Sequence, residues 1–153
     1  VQRPTLFIAG KTLFVHGGLH PRYSVWKPEE LNNRIQREMG RYKPYFELDA
    51  RSPALAEDGP HWYRIAMRKS AAALQTELDE TLGNWDIERM VVGHTPTFLI
   101  DARSPGQVLS LNNGRLMCID VGIGRAYGAK LAALELTPDG NATAIYADRR
   151  QKL

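Results

Sequence analysis

Two histidines stand out by where the chain places them. Leu13-Phe14-Val15 runs into His16-Gly17-Gly18-Leu19-His20-Pro21, and Met90-Val91-Val92 runs into Gly93-His94-Thr95-Pro96. Each segment sets an imidazole where an apolar strand gives way to a loop, the place where rigid scaffolds commonly hold functional groups. The flanking glycines remove side-chain bulk and let the backbone come close to a bound ion or phosphate. Neutral imidazole is the commonest metal-binding side chain, and its second nitrogen is usually held by a carboxylate or carbonyl, so the chemistry within reach is metal coordination. A plainer reading stays open at this point. A histidine beside glycine is also an ordinary turn residue, the two are separated by 78 positions, and no H-x-H or HExxH cluster supports either.

The elements that would carry these residues follow from the local pattern. Thr5 to Ala9 and Thr12 to Val15 are short apolar runs separated by Gly10-Lys11, which predicts a β-hairpin ending at His16. Lys27 to Arg41 has Pro28 and Glu29-Glu30 at its start, Leu31, Ile35 and Met39 at four-residue spacing, and Gly40 at its end, the punctuation of an amphipathic helix. Phe46 to Pro60 lacks periodicity and reads as a surface loop. His61 to Leu82 is rich in Ala, Leu, Arg, Lys and Glu and predicts one long helix closed by Gly83-Asn84. Strands are expected over residues 89–92, 97–100, 107–111, 116–119, 130–136 and 142–146, with turns such as Asn112-Asn113-Gly114-Arg115 between them. No repeat and no linker divides the chain, so the expectation is one α/β unit of sheet covered by helices.

Composition narrows the function classes. The 153 residues are 43% apolar, enough for a core, and no apolar run approaches the roughly 20 residues of a membrane-spanning helix. Twenty basic and 17 acidic residues are scattered, and the one local run, Arg149-Arg150-Gln151-Lys152, reads as a solvated tail and not as a nucleic-acid patch. The single cysteine, Cys118, sits in an apolar strand pattern and forms no internal disulfide, which agrees with a reducing, cytoplasmic setting. Val1-Gln2-Arg3-Pro4 has neither an initiator Met nor the pattern of a signal peptide, and the expectation is that it lies inside a longer chain.

Four segments in order carry a family resemblance. Phe14 to Pro21 resembles the HGGL-x-P motif of phosphoprotein phosphatases, and Val91 to Pro96 resembles the GHTP motif of calcineurin-like metallophosphoesterases. Between them Gly59-Pro60-His61-Trp62-Tyr63-Arg64 is similar to a GPLWxR stretch of bacterial-type members. After them Ile119-Asp120-Val121-Gly122-Ile123-Gly124-Arg125-Ala126-Tyr127-Gly128 is similar to an IDxG(x)SxxYGG stretch. The chain departs from these patterns at His61, Gly124 and Ala129. The subgroup it resembles is that of the Shewanella-like and Rhizobiales-like phosphatases.

The resemblance implies the C-terminal half of a metallophosphoesterase: a β-sandwich flanked by helices, with two divalent ions (Mn, Fe or Zn) at the strand ends. His16 and His94 would be ligands of one ion. Arg64 would hold the substrate phosphate through the two parallel hydrogen bonds a guanidinium can donate, although the same residue also reads as a surface arginine on a helix. Asp120 would orient a ligand or cap a turn, and Tyr127 would line the pocket or pack. The family's remaining motifs, D-x-H, GD-x-x-D and GN-H-[DE], are absent from this sequence. The implied activity is hydrolysis of a phosphomonoester, in a phosphorylated protein or a small molecule, completed by an N-terminal segment of the same protein. No nucleic acid or membrane partner is expected. A dinucleoside polyphosphate hydrolase and a non-catalytic remnant acting as an interaction domain are the competing readings.

Overall fold

The computed structural model describes residues 3–40 and 52–153. The opening hairpin forms as the sequence predicts: β1 (Leu6–Ala9) pairs antiparallel with β2 (Thr12–Val15), Ala9 opposite Thr12. The two-residue turn has Gly10 at φ 56°, the conformation a II′ hairpin asks of its first central residue. β2 then pairs in parallel with β3 (Arg89–Val92), β3 in parallel with β5 (Leu116–Cys118), and β5 antiparallel with β4 (Leu109–Leu111). The order in this five-stranded sheet is β1-β2-β3-β5-β4. A separate three-stranded meander contains β6 (Ala132–Leu136), β7 (Ala142–Tyr146) and β8 (Arg150–Lys152).

Strand alternation sorts the sheet residues into two cores. Leu13, Val15, Met90, Val92, Leu116 and Cys118 face helices α1 (Pro21–Ser24), α2 (Pro28–Gly40) and α3 (Ala71–Gly83), which contribute Tyr23, Leu31, Ile35, Leu74, Leu78 and Leu82. The opposite face sends Val91 and Met117, with Phe14 beside them, against Leu134, Leu136 and Ala142 of the meander. The arrangement is mixed α/β, and among the described residues helices cover one face of the large sheet and a second sheet covers part of the other. Each fully buried leucine here contributes about 1.5–3 kcal/mol relative to exposure.

Four local expectations change. The helix expected from His61 begins only at Ala71: Ser70 caps it by accepting from the Ala73 N–H at 3.2 Å, and Arg68 sits at φ 58°, which no α-helix tolerates. Thr97 to Ile100 forms one helical turn (α4) instead of a strand, because Pro96 enters it and the Thr97 N–H is taken by the Asp120 carbonyl at 2.8 Å. The basic tail is strand β8, paired with β7, with Arg150 bound to Glu135 and Arg149 lying 4.1 Å over the Tyr146 ring. In the expected loop over residues 46–60, positions 46–51 lie outside the described residues. The rest is turn, yet Pro53, Ala54, Ala56, Gly59 and Pro60 are buried.

Candidate active site

The parallel pairing of β2 with β3 decides the geometry at the strand ends. Val15 lies opposite Val92, and the ladder continues one step beyond the strands, where the Gly93 N–H donates to the His16 carbonyl at 2.8 Å. His16 and His94 consequently leave adjacent strands on the same edge. His16 Nε2 lies 3.1 Å from His94 Nδ1, with ring centroids 4.9 Å apart. Among the four histidines, it is these two, distant in sequence, that the fold brings nitrogen to nitrogen.

His94 is held under strain. Its φ is +60°, and the Thr95 N–H closes a three-residue turn on the Gly93 carbonyl at 2.6 Å with His94 at the centre. This is the rarer hand of such a turn, and a non-glycine residue in the left-handed region costs on the order of 1–3 kcal/mol. His94 Nε2 is also buried without a hydrogen-bond partner. Two costs gathered on one residue, at the place where the sequence motif points, mark a position shaped for something other than stability.

The second loop is pressed against the first. Gly17 donates its N–H to the Pro60 carbonyl at 2.8 Å, and a Cβ there would stand 2.9 Å from the Tyr63 carbonyl oxygen and 3.0 Å from that of Pro60. Both neighbours are backbone and cannot swing aside. Gly17→Ala is expected to cost about 1–3 kcal/mol, the range for overpacking, measured as a lower urea midpoint; an unchanged midpoint would show that the two loops separate freely. The loop after Pro60 is fixed from its other end by Tyr63, whose hydroxyl donates to Glu77 on α3 while Lys69 donates to both. Burial and the Glu77 carboxylate hold the Tyr63 phenol protonated far above its ordinary range.

That clamped loop carries Arg64, which lies outside any helix, contrary to one of its two sequence readings. Its guanidinium donates to the hydroxyl of buried Thr95 at 3.3 Å, the residue directly after His94. Thr95 is the threonine of the Gly93-His94-Thr95-Pro96 segment, but the sequence assigns it no role of its own. Trp62 is likewise marked in the sequence only as part of the Gly59–Arg64 stretch, with no role assigned. It is 49% exposed and its ring stands edge-to-face with His94, centroids 5.8 Å apart.

Asp120 and Tyr127 divide. Asp120 accepts the Gly122 N–H at 3.1 Å, the turn-capping role, while its charge is close enough to both imidazoles to favour their protonated forms. Tyr127, in a 3₁₀ turn over Arg125–Tyr127, is 54% exposed and faces Phe98 at 6.2 Å; among the described residues no hydrogen bond or ring pair joins it to the histidines.

Burial lowers the pKa of His16, with His61 reinforcing and Asp120 opposing; burial likewise lowers His94, with Arg64, His16 and His61 reinforcing and Asp120 opposing. Both are therefore neutral at pH 7, the form that binds metal. The same shifts bear on folding. Between each depressed folded value and the ordinary 6.5, the unfolded chain holds a proton that the folded chain lacks, so stability falls as pH drops through that window. The urea midpoint of the metal-free protein is expected to fall from pH 7 to pH 5, and to fall less in a His16→Gln/His94→Gln double variant. An equal fall in both would assign the acid sensitivity elsewhere.

The imidazole pair fits one divalent ion. Metal–nitrogen bonds of about 2.0–2.1 Å place two ligand nitrogens roughly 3–3.4 Å apart, and the pair stands at 3.1 Å. Among the described residues no group of three or more His, Cys, Asp or Glu side chains assembles, so the pair would provide two positions of a coordination shell and no more. Cys118 is buried in β5, and burial pushes its thiol up to about 12.

No family model matches the chain. In crystal structures of a cold-active protein-tyrosine phosphatase of a psychrophilic Shewanella species, the match covers 99% of this chain and 43% of the Shewanella chain, with a TM-score of 0.76 and 22% identity. A second structure of a cold-active protein-tyrosine phosphatase gives the same score over 42% of its chain. The chain has a phosphatase-like fold. In sequence it is 29% identical over 146 residues to an uncharacterized protein of Schizosaccharomyces pombe, covering 92% of this chain and 40% of that protein. The chain thus spans about two fifths of the proteins it matches. Among the described residues no helix is long and apolar enough to cross a membrane.

Proposed function

We propose that this chain supplies one edge of the metal site and the phosphate clamp of a dinuclear, metal-dependent phosphomonoesterase acting on phosphorylated protein, of the calcineurin-like metallophosphoesterase type. The observation that carries the reading is the pair of imidazoles, 3.1 Å apart on adjacent parallel strands, with Arg64 tied through Thr95 to the same strained turn. The remaining donors, carboxylates above all, come from another segment of a longer protein. Support for that comes from the lack of D-x-H, GD-x-x-D and GN-H-[DE] in this sequence and from the two fifths of the relatives that it spans.

His16 Nε2 and His94 Nδ1 would hold one ion, and Mn, Fe and Zn all suit imidazole. When bound, a divalent ion pair supplies an activated hydroxide and neutralises charge on the phosphoryl oxygens. Binding and orienting the ester falls to the side chains of this chain. Arg64 offers its remaining N–H donors to two phosphate oxygens and orients the ester, while Thr95 fixes the direction of the guanidinium. Lys69, Glu77 and Tyr63 keep the arginine's loop in place. Asp120 shapes the loop after β5.

The test is phosphate release from para-nitrophenyl phosphate by the full-length protein in Mn²⁺ and in EDTA, with Mn²⁺ binding measured alongside. Turnover that requires Mn²⁺ is the expected result. Faster cleavage of diadenosine tetraphosphate than of any monoester would move the substrate class to dinucleoside polyphosphates. Neither turnover nor Mn²⁺ binding would overturn the reading and leave an interaction domain.

A further inference from the structure

The two sheets meet over a single row of side chains. Phe7, Phe14, Val91 and Met117 stand opposite one another across β1, β2, β3 and β5 and share one face of the large sheet. Burial along the row is uneven. Met117 is 1% and Val91 2% exposed, Phe14 is half-buried, and Phe7 is 56% exposed with its ring 6.1 Å from that of Phe14. The meander shows the same gradient: Ala142 and Ala144 of β7 are buried, whereas Ala132, Leu134 and Leu136 of β6 are only partly so. The second sheet thus stops at β6 and leaves β1 and much of β2 uncovered. A cleft of about 1030 Å³ opens there, with Thr12 and Phe14 on one wall and Leu136 to Gly140 on the other.

Other sheet edges of this chain are finished against further pairing. On β1 the Asn32 side chain, from α2, replaces a neighbouring strand: its carbonyl accepts the Leu6 N–H and its amide donates to the Leu6 carbonyl, both at 2.9 Å. β8 exposes Arg150 and Lys152, charges of the kind that discourage strand addition. The edge of β6 has neither device. It is five residues long, Ala132-Ala133-Leu134-Glu135-Leu136, and its one charge is bound to Arg150. The Tyr146 N–H donates to the Arg149 carbonyl and the Ala142 carbonyl accepts from Leu153, so these β7 residues face β8. That leaves Thr143 and Ile145 to bond with Glu135 and Ala133, and turns the backbone groups of Ala132, Leu134 and Leu136 outward. Among the described residues no further strand pairs with them. A bare apolar edge beside uncovered phenylalanines is what folded proteins avoid.

We propose that a β-strand from the part of the longer protein outside residues 1–153 pairs with the β6 edge and extends the second sheet over Phe14 and Phe7. Its apolar side chains alternate inward onto the two rings, and its polar ones face outward beside exposed Ala133 and Glu135. Strands spaced about 4.8 Å apart make roughly two of them enough to reach β1. The proposal rests on the reading of a longer protein given above and not on its metal chemistry. The chain spans 43% of the Shewanella phosphatase and 40% of the Schizosaccharomyces pombe protein, so more than half of such a protein is left to supply the strand.

The experiment is hydrogen exchange on the full-length wild type, with maleimide labelling of Phe7→Cys and Val25→Cys beside it. The Leu134 amide is expected to exchange at least about 100-fold more slowly than a free amide, and to keep that protection on about tenfold dilution. The thiol at position 7 is expected to react about tenfold more slowly than the one at position 25, although Phe7 and Val25 are 56% and 69% exposed here. A Leu134 amide that exchanges freely overturns the proposal, as does equal labelling at the two positions. Protection that disappears on dilution assigns the edge to a second copy and overturns it too. If Phe7→Cys does not fold, the wild-type exchange decides alone. Neither readout uses metal or phosphate, so protection in a protein without Mn²⁺-dependent turnover would sink the phosphatase reading and leave this one standing.

Discussion

His94→Ala is expected to lower Mn²⁺-dependent phosphate release by about 10²-fold or more, with no loss of folded protein. Partners in a metal site's outer shell already cost about 10- to 100-fold in affinity or activity when removed, and His94 is assigned to the ion directly. The strain on this residue sharpens the test. Alanine inherits the unfavourable φ of +60°, whereas glycine does not. His94→Gly should be as inactive as His94→Ala, yet unfold at a temperature equal to or above that of the metal-free wild type, since it relieves the backbone and removes a buried nitrogen that has no partner. Activity and stability moving in opposite directions is the signature of a residue kept for chemistry. Turnover retained in both variants would remove His94 from the site.

Arg64→Ala carries the second large effect. A guanidinium that binds two oxygens of the transferring group resembles the preorganised donors whose individual loss costs about 10² to 10³ in rate, and a decrease of about 10²-fold in kcat/KM is expected. Arg64→Lys should recover only part of it, because an ammonium keeps the charge but not the planar fork. Two further measurements separate this role from a structural one: bound Mn²⁺ should be unchanged, and inhibition by inorganic phosphate should weaken in step with kcat/KM. A change below about threefold, far short of a lost preorganised donor, would return Arg64 to the exposed surface arginine that its loop position also permits.

What the sequence makes legible is what local physics controls. The hairpin at Gly10, the helix over Pro28–Gly40 and the strands around Met90 and Leu116 follow from alternation, capping and turn chemistry. The differences arise where tertiary contacts override propensity. Helix-forming residues from His61 to Lys69 are drawn into turns by the contacts of Pro60 and Tyr63 with Gly17 and by the Tyr63–Glu77 bond. Thr97 to Ile100 have strand-like side chains but follow Pro96 into a helical turn. Arg150 to Lys152 form a strand because β7 offers an edge, a fact no local pattern contains. In the site, the two histidines are legible through their strand-end glycines. Their approach is not, since it depends on β2 and β3 being parallel neighbours. Thr95 acquires its role only from what lies across from it.

The parallel pairing of those two strands also sets a time order. Parallel neighbours need a long crossover, and contacts of high sequence separation are slow to form because chain entropy must be given up before they return anything. Until β2 and β3 lie side by side, a growing or partly unfolded chain presents solitary imidazoles, each a weak ligand. An ion bound as proposed would not template this fold; it would recognise only the finished one, and by mass action hold it there. Such an ion would serve as a certificate of correct assembly, taken up after the strands have docked and lost as soon as they part.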